Sequence, residues 1–185
     1  MQIIGISGKK WAGKDTLCTH ILEALPERGV RRAFADRLKE EVSIFLYPTL
    51  KEKGHTLKQI REMLDDPKTK EQFRLLMQWY GTEYRRNLFG EDYWLRMVDK
   101  WIEENQLPDN TILIIPDTRF LSEIEWIKSK GGKIVLIERP CLKNTDTHSS
   151  ETELDHYKFD SVITNNNKDN LAFQATELLE RLGIL

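Results

Sequence analysis

GISGKKWAGKDT, residues 5–16, joins the apolar run that opens the chain to a glycine-bracketed basic loop and then to a helical pattern. From Gly8 the spacing is G-x-x-x-x-G-K, closing on Gly13 and Lys14, the grammar of a phosphate-binding loop. Glycines let backbone N–H groups turn inward around an anion, the following helix adds its positive dipole end, and a lysine reaches the outer phosphates. Gly8, Lys9, Lys10, Trp11, Ala12, Gly13, Lys14, Asp15 and Thr16 are therefore the expected nucleoside triphosphate contacts. The eighth position departs from the pattern, because Asp15 stands where Ser or Thr usually offers a hydroxyl to magnesium. An acidic side chain in an anion cradle is costly without a cation nearby, so Asp15 is expected to face magnesium or to orient Lys14. The bland alternative is a Gly/Lys-rich turn that caps a helix and binds nothing.

Around this loop, 185 residues suffice for one domain with a substantial core and no need of disulfides or structural metal. A net charge of −2 with 31% charged residues excludes a nucleic-acid wrapper or an acidic tail protein. Cys18 and Cys141 lack metal-ligand spacing and read as free thiols in a reducing compartment, with Cys18 packed in the core. The chain opens on the strand-like MQIIGIS without a visible secretory signal, and its longest aliphatic run, 112–115, falls far short of the roughly 18 residues of a membrane span. The expectation is a soluble, cytoplasmic protein, in the host cytoplasm if the chain is viral, that needs neither membrane nor nucleic acid; a homodimer is left open.

Downstream, Leu17, Ile21, Leu22 and Leu25 recur at helical spacing up to Pro26 and Gly29, and residues 31–35 look like a second strand. Asp36 falls where an N-cap belongs, a reading that stands beside a functional one. Residues 47–67 look like an inserted helical segment punctuated by Pro48 and Gly54, with Thr56 and Gln59 forming a capping box. Asp66 and Pro67 would start the next helix. At about 100° per residue its core stripe is Phe73, Leu76, Met77, Tyr80 and Tyr84, bordered by Arg74, Gln78, Gly81 and Arg85. Glycine there permits close approach, arginine suits phosphate and glutamine suits a base edge, so this second stripe could line a substrate cleft or be ordinary surface. Asp92 begins another amphipathic helix, whose Trp94 could flank that cleft or sit in the core.

Residues 111–116 are a dense aliphatic run suited to a buried parallel strand, ending in Asp117-Thr118-Arg119. Ligands of open α/β sheets collect at carboxyl ends of strands, which places Asp117 like an acidic holder of hydrated magnesium, with helix capping as its alternative. Gly131 and Gly132 end the next helix, residues 133–137 make a further strand, and Arg139 follows. Residues 139–157 then lose apolar periodicity and read as a functional lid or a disordered segment, in which His148 is a poor metal candidate. A last strand at 159–163, a turn at 165–167 and a closing helix capped near Asp169 complete the chain. Five strand signals alternating with helices predict an α/β protein, a three-layer α/β/α sandwich on a five-stranded parallel sheet.

GISGKKWAGKDT, FADRLKE, LLMQWYGTEYRR followed by GEDYW, PDTRF, GGKIVLIERP, HSSE and FDSVITNN occur in that order along the chain. The ordered set resembles the phage-type deoxynucleoside monophosphate kinases, within the phosphate-loop (P-loop) kinases, and is distantly similar to animal-type phosphomevalonate kinases, which also carry Gly-Lys-Asp. The resemblance spans nearly the whole chain. It implies one P-loop kinase domain with a helical substrate-binding insertion at about 37–105 and a lid at about 139–157. It further implies transfer of the γ-phosphoryl of ATP, with Mg2+, to a deoxynucleoside 5′-monophosphate. Lys14, Arg119 and Arg139 would be catalytic, Asp15 and Asp117 would manage the metal, and Asn166 would touch adenine. Asp36, Lys39, Arg74, Gln78, Arg85 and Trp94 would lie along the monophosphate cleft.

Overall fold

Short aliphatic runs bounded by turns form the strands of the computed structural model, which describes residues 1–142, 147–166 and 170–185. Strands β1 (Gln2–Ser7), β2 (Gly29–Arg31), β3 (Ile112–Ile115), β4 (Lys133–Glu138) and β5 (Ser161–Thr164) make a five-stranded sheet in the order β2-β3-β1-β4-β5. Every pairing in it is parallel. Strand alternation then sorts the core. Ile4 and Ile6 join Ile114, Val135 and Ile137 beneath helices α1 (Lys14–Ala24) and α9 (Leu171–Arg181), with Cys18 buried among them. On the other face a Cβ on Gly5 would lie 2.6 Å from Ile127 of α7 (Leu121–Ser129), so that helix covers the second side and completes three layers.

The chain divides into two compact units, residues 1–33 with 101–185, and residues 34–100. The second unit is helical. α2 (Phe34–Lys51) packs on α3 (Leu57–Asp65), and the capping box of Thr56 with Gln59 opens α3 as expected. A 3-10 turn (Lys70–Phe73), α4 (Arg74–Gln78), a π-helical stretch (Trp79–Arg86) and α5 (Asn87–Phe89) follow before α6 (Tyr93–Asn105). Phe34, Val42, Ile60, Leu64, Tyr80, Trp94, Leu95 and Val98 are its buried apolar side chains.

Several expected boundaries move. β2 lies at 29–31, because Ala33 and Phe34, although buried, belong to the approach and first turn of α2. A short apolar run does not by itself distinguish strand from helix. Asp36 accordingly sits inside the first turn of α2 and is not its N-cap. Pro48 does not punctuate: α2 runs through it, and Ile44, whose carbonyl the proline leaves without an intrahelical donor, is 62% exposed. Asp66 accepts from the Lys68 N–H at 3.0 Å, as a cap would, but a turn and then the 3-10 turn at Lys70–Phe73 follow, so no α-helix starts at 67. Residues 139–157 are less irregular than expected, since α8 (Ser149–Thr152) forms there with the His148 side chain accepting from the Ser150 N–H. Residues 143–146 of that segment, and the expected turn end and cap at Asn167 and Asp169, lie outside the described residues. Among the described residues no helix is long and apolar enough to cross a membrane.

Candidate active site

The sheet order sends the chain leaving β1 toward β2 on one side and the chain leaving β4 toward β5 on the other, so a crevice opens at the carboxyl ends of these adjacent strands. The loop of residues 8–13 fills that position. Gly8 (φ 150°) and Gly13 (φ 111°) hold conformations that disfavour side chains, and a Cβ on Gly8 would lie 2.2 Å from the Ile137 carbonyl oxygen. Gly13 leads into α1, whose first residue is Lys14. Just past β5, the buried Asn165 amide donates to the Ala12 carbonyl at 2.7 Å and ties the loop to the end of that strand. Asn166 beside it is exposed. Trp11 is exposed with φ 65°, and Lys10 Nζ lies 5.4 Å from its ring centroid.

The Lys14 ammonium donates to the carbonyls of Gly8 at 2.5 Å and Lys9 at 2.9 Å. Burial lowers its pKa to about 8, with help from the Arg119 charge and against the opposing pull of Glu151, Asp15 and Asp117. Those five groups therefore share one electrostatic neighbourhood. The Thr118 N–H donates to the Ile6 carbonyl at 3.1 Å, which fixes Asp117 and Arg119 beside the end of β1. α7 is closed by Glu123, which accepts from the Arg119 N–H at 2.6 Å and the Phe120 N–H at 3.1 Å, so capping is not the duty of Asp117.

A cavity of about 470 Å³ opens beside the loop, lined by Gly8, Lys9, Arg119 and Arg139 together with Glu151 and apolar groups that include Tyr157 and Phe159. Glu151, with its side chain 1% exposed, forms an ion pair with Arg119 and accepts from the Lys10 N–H at 3.2 Å. Arg119 also donates to the Ser150 carbonyl at 3.1 Å, and Lys9 bonds both the Glu151 carbonyl and the Asp155 carboxylate. Three basic residues and one buried acid thus meet at a single loop.

In the helical unit a different cluster forms. Glu41, with a side chain 7% exposed, accepts from Arg85 at 2.6 Å, Tyr93 at 2.8 Å, and Tyr80 and Arg37 at 3.2 Å each. The Arg85 guanidinium lies 5.1–5.3 Å from the rings of Tyr80, Tyr84, Phe89 and Tyr93. Burial and the Glu41 charge raise the Tyr80 and Tyr93 phenols above their ordinary values. Trp94 is buried and donates to the Gly81 carbonyl at 3.0 Å, and a Cβ on Gly81 would come within 3.2 Å of Leu38, the close approach that glycine allows. Lys39 pairs with Asp65 at 2.6 Å, Arg61 donates to the Asp36 carbonyl at 2.6 Å, and Arg74 and Gln78 are half-buried on α4.

The family model described as deoxynucleotide monophosphate kinase matches residues 46–173 of the chain. The chain belongs to this family. A protein of Acanthamoeba polyphaga mimivirus provisionally named a deoxynucleotide monophosphate kinase is 29% identical over 181 residues, covering 90% of this chain and 89% of its own length. The deoxynucleotide monophosphate kinase of Escherichia phage RB69 is 29% identical over 106 residues, covering 57% of this chain and 43% of its own. That of Enterobacteria phage T4 is 28% identical over 140 residues, covering 76% and 54%. The chain thus spans about half the length of these two phage relatives. Family membership supports a nucleotide kinase role and agrees with the resemblance read from the ordered motifs.

Two carboxylates of this kinase-family chain escaped sequence reasoning. Glu151 is 141 positions from the Lys10 N–H it accepts and 32 from Arg119, and its only sequence signal was its place in HSSE. Glu41 lies on the buried side of α2, where an acid between Leu38 and Val42 carries no local cue to the Arg85, Tyr80 and Tyr93 groups that meet it.

Proposed function

We propose that the chain is an ATP-dependent kinase that transfers the γ-phosphoryl group to a deoxynucleoside 5′-monophosphate, giving the diphosphate and ADP. The observation that carries this is the cavity in which Arg119 and Arg139 line the same space as Gly8 and Lys9, within a chain of the deoxynucleotide monophosphate kinase family. A protein that only senses nucleotide has no need of two arginines turned toward the phosphates. In this reading the N–H groups of residues 8–16 and the Lys14 ammonium hold the triphosphate, and Asn166 approaches the adenine. Arg119 and Arg139 neutralise charge on the transferring group.

The donor set fits Mg2+. Among the described residues no three His, Cys, Asp or Glu gather as a metal cage, yet Asp15 and Asp117 both act on Lys14. Two carboxylates beside a phosphate cradle suit a cation that takes most of its ligands from phosphate and water. Asp117 and Asp15 would hold it, and bound there it would offset phosphate charge. The acceptor phosphate is already an ionised nucleophile near neutrality, so no residue is assigned as general base, and positioning with charge neutralisation carries the rate.

We assign acceptor binding to the helical unit, through Asp36, Lys39, Arg74 and Gln78. Arg85 and Trp94, whose polar groups are engaged within that unit, hold its shape. The working compartment in this reading is the cytoplasm, the host's if the chain is viral. The test is a coupled ADP-release assay with ATP and Mg2+ against deoxy- and ribonucleoside monophosphates, phosphomevalonate and a no-acceptor control. Stimulation by deoxynucleotides is the expected result; stimulation by phosphomevalonate alone, or by nothing, overturns the reading.

A further inference from the structure

The phosphate loop already holds an anion from its own chain. Glu151 accepts the Lys10 N–H, one of the inward donors between Gly8 and Gly13, and pairs with Arg119, one of the arginines of the cavity. Its segment is fastened at two further points, where Lys9 bonds the Glu151 carbonyl and Asp155, and Arg119 bonds the Ser150 carbonyl. Carboxylate and phosphate oxygens accept from the same kinds of donor, and two anions sharing them in a poorly hydrated site repel each other. Removing Glu151 from these donors without a substitute would cost the half-buried Arg119 guanidinium and a loop N–H an acceptor, which is unfavourable. Exchange for a phosphate leaves every donor satisfied.

We propose that Glu151 is an intramolecular stand-in for nucleotide phosphate, and that triphosphate binding displaces its carboxylate and releases α8 from the loop and from Arg119 together. The proposal rests on reading residues 8–16 as a phosphate site. Arg119 then passes from a carboxylate to the transferring phosphoryl group only when nucleotide is seated. Between nucleotides the loop is closed to stray anions, and part of the binding energy of the triphosphate is used to open it.

The experiment compares the full chain with Glu151→Gln and Asp155→Asn, the second loosening the segment through its bond to the Lys9 ammonium while leaving the Glu151 carboxylate in place. Calorimetric titration with inorganic tripolyphosphate, which needs no base or acceptor site, reads the exchange directly. If the displaced arrangement is populated at about one part in ten, removing the competing charge tightens apparent affinity about tenfold in Glu151→Gln, and by less in Asp155→Asn. Amide spectra of the wild-type chain should show Lys10, Ser150 and Glu151 shifting together as tripolyphosphate is added. Weaker or unchanged binding in folded Glu151→Gln overturns the proposal, as does tighter binding without movement of the Ser150 and Glu151 amides, which would be a charge effect alone. Should Glu151→Gln not fold, the wild-type amide titration decides by itself. A chain that shows the exchange but no acceptor-stimulated ADP release would sink the kinase reading and leave this one standing.

Discussion

Each unit of the molecule contains a buried glutamate paired with an arginine, and the two pairs are surrounded in opposite ways. Glu41 and Arg85 are enclosed by Tyr80, Tyr84, Phe89 and Tyr93, with phenol hydroxyls meeting the carboxylate and ring faces covering the guanidinium. Glu151 and Arg119 border a cavity and share their contacts with a loop N–H, lysine and backbone carbonyls. A pair walled by aromatic rings has no other partner to turn to and works as a fastening. A pair facing open space beside backbone donors can trade one acceptor for another. Charge and burial are alike in the two; what differs is whether a competing ligand can reach.

The largest expected effect lies on the open side. Lys14→Met should lower kcat/KM by about 10³-fold or more, because a donor to developing phosphate charge is lost, while circular dichroism stays unchanged. Retained turnover in the folded variant would remove Lys14 from its role. Next is the closed pair: Glu41→Ala leaves Arg85 uncompensated among the rings and should cost about 3–5 kcal/mol in a denaturant titration, whereas the isosteric Glu41→Gln should cost less. If Glu41→Ala is as stable as the parent, the aromatic enclosure is not a fastening.

A subtler contrast concerns protons. The Lys14 pKa is lowered to about 8 mainly by burial, so in the free protein the ammonium is lost as pH rises through that value. Bound phosphates favour the charged form and raise it again. Triphosphate affinity should therefore fall above pH 8, by up to about tenfold per unit, and binding should take up a proton there, seen as buffer-dependent calorimetric enthalpy. A flat affinity between pH 7 and 9.5 would contradict this. The smallest effect is at Asp160, which accepts from Lys128 and from the Ile134 N–H, both at 2.6 Å. Burial alone would raise its pKa, but these donors hold it below the ordinary carboxylate value, so its contribution is present above the unfolded pKa and fades as pH falls through the folded one. Asp160→Asn should cost about 1 kcal/mol near neutrality and less in acid, measured by thermal melts across pH.

The parts legible in the sequence were those written over a few adjacent residues. Buried aliphatic runs announced β3 and β4, the glycine spacing announced the loop, and Thr56 with Gln59 announced the start of α3. The rest depended on partners far along the chain. Pro48 and Asp36 look like helix punctuation, yet α2 continues past both because its buried side has neighbours to pack on. Assuming about 100° per residue fails from Trp79, where the backbone turns π-helical, so the stripe of Phe73, Leu76, Met77, Tyr80 and Tyr84 does not form one buried line. Only Tyr80 of that set is fully buried. Glu151 was invisible as a loop ligand because nothing near HSSE refers to Lys10.

The π-helical stretch also sets the terms on which this part of the chain can change length. In an α-helix, residues five apart point about 140° away from each other, but here Tyr80 and Arg85 share a face and bond at 2.8 Å. The turn works as a phase adjuster between two α-helical segments. Removing one residue from 81–84 and restoring α-helical winding would place Arg85 four positions after Tyr80, about 40° round, so the later side chains keep their face; removing a second would swing every later side chain by about 100°. The stretch between Tyr80 and Arg85 should therefore tolerate the loss of one residue better than the loss of two.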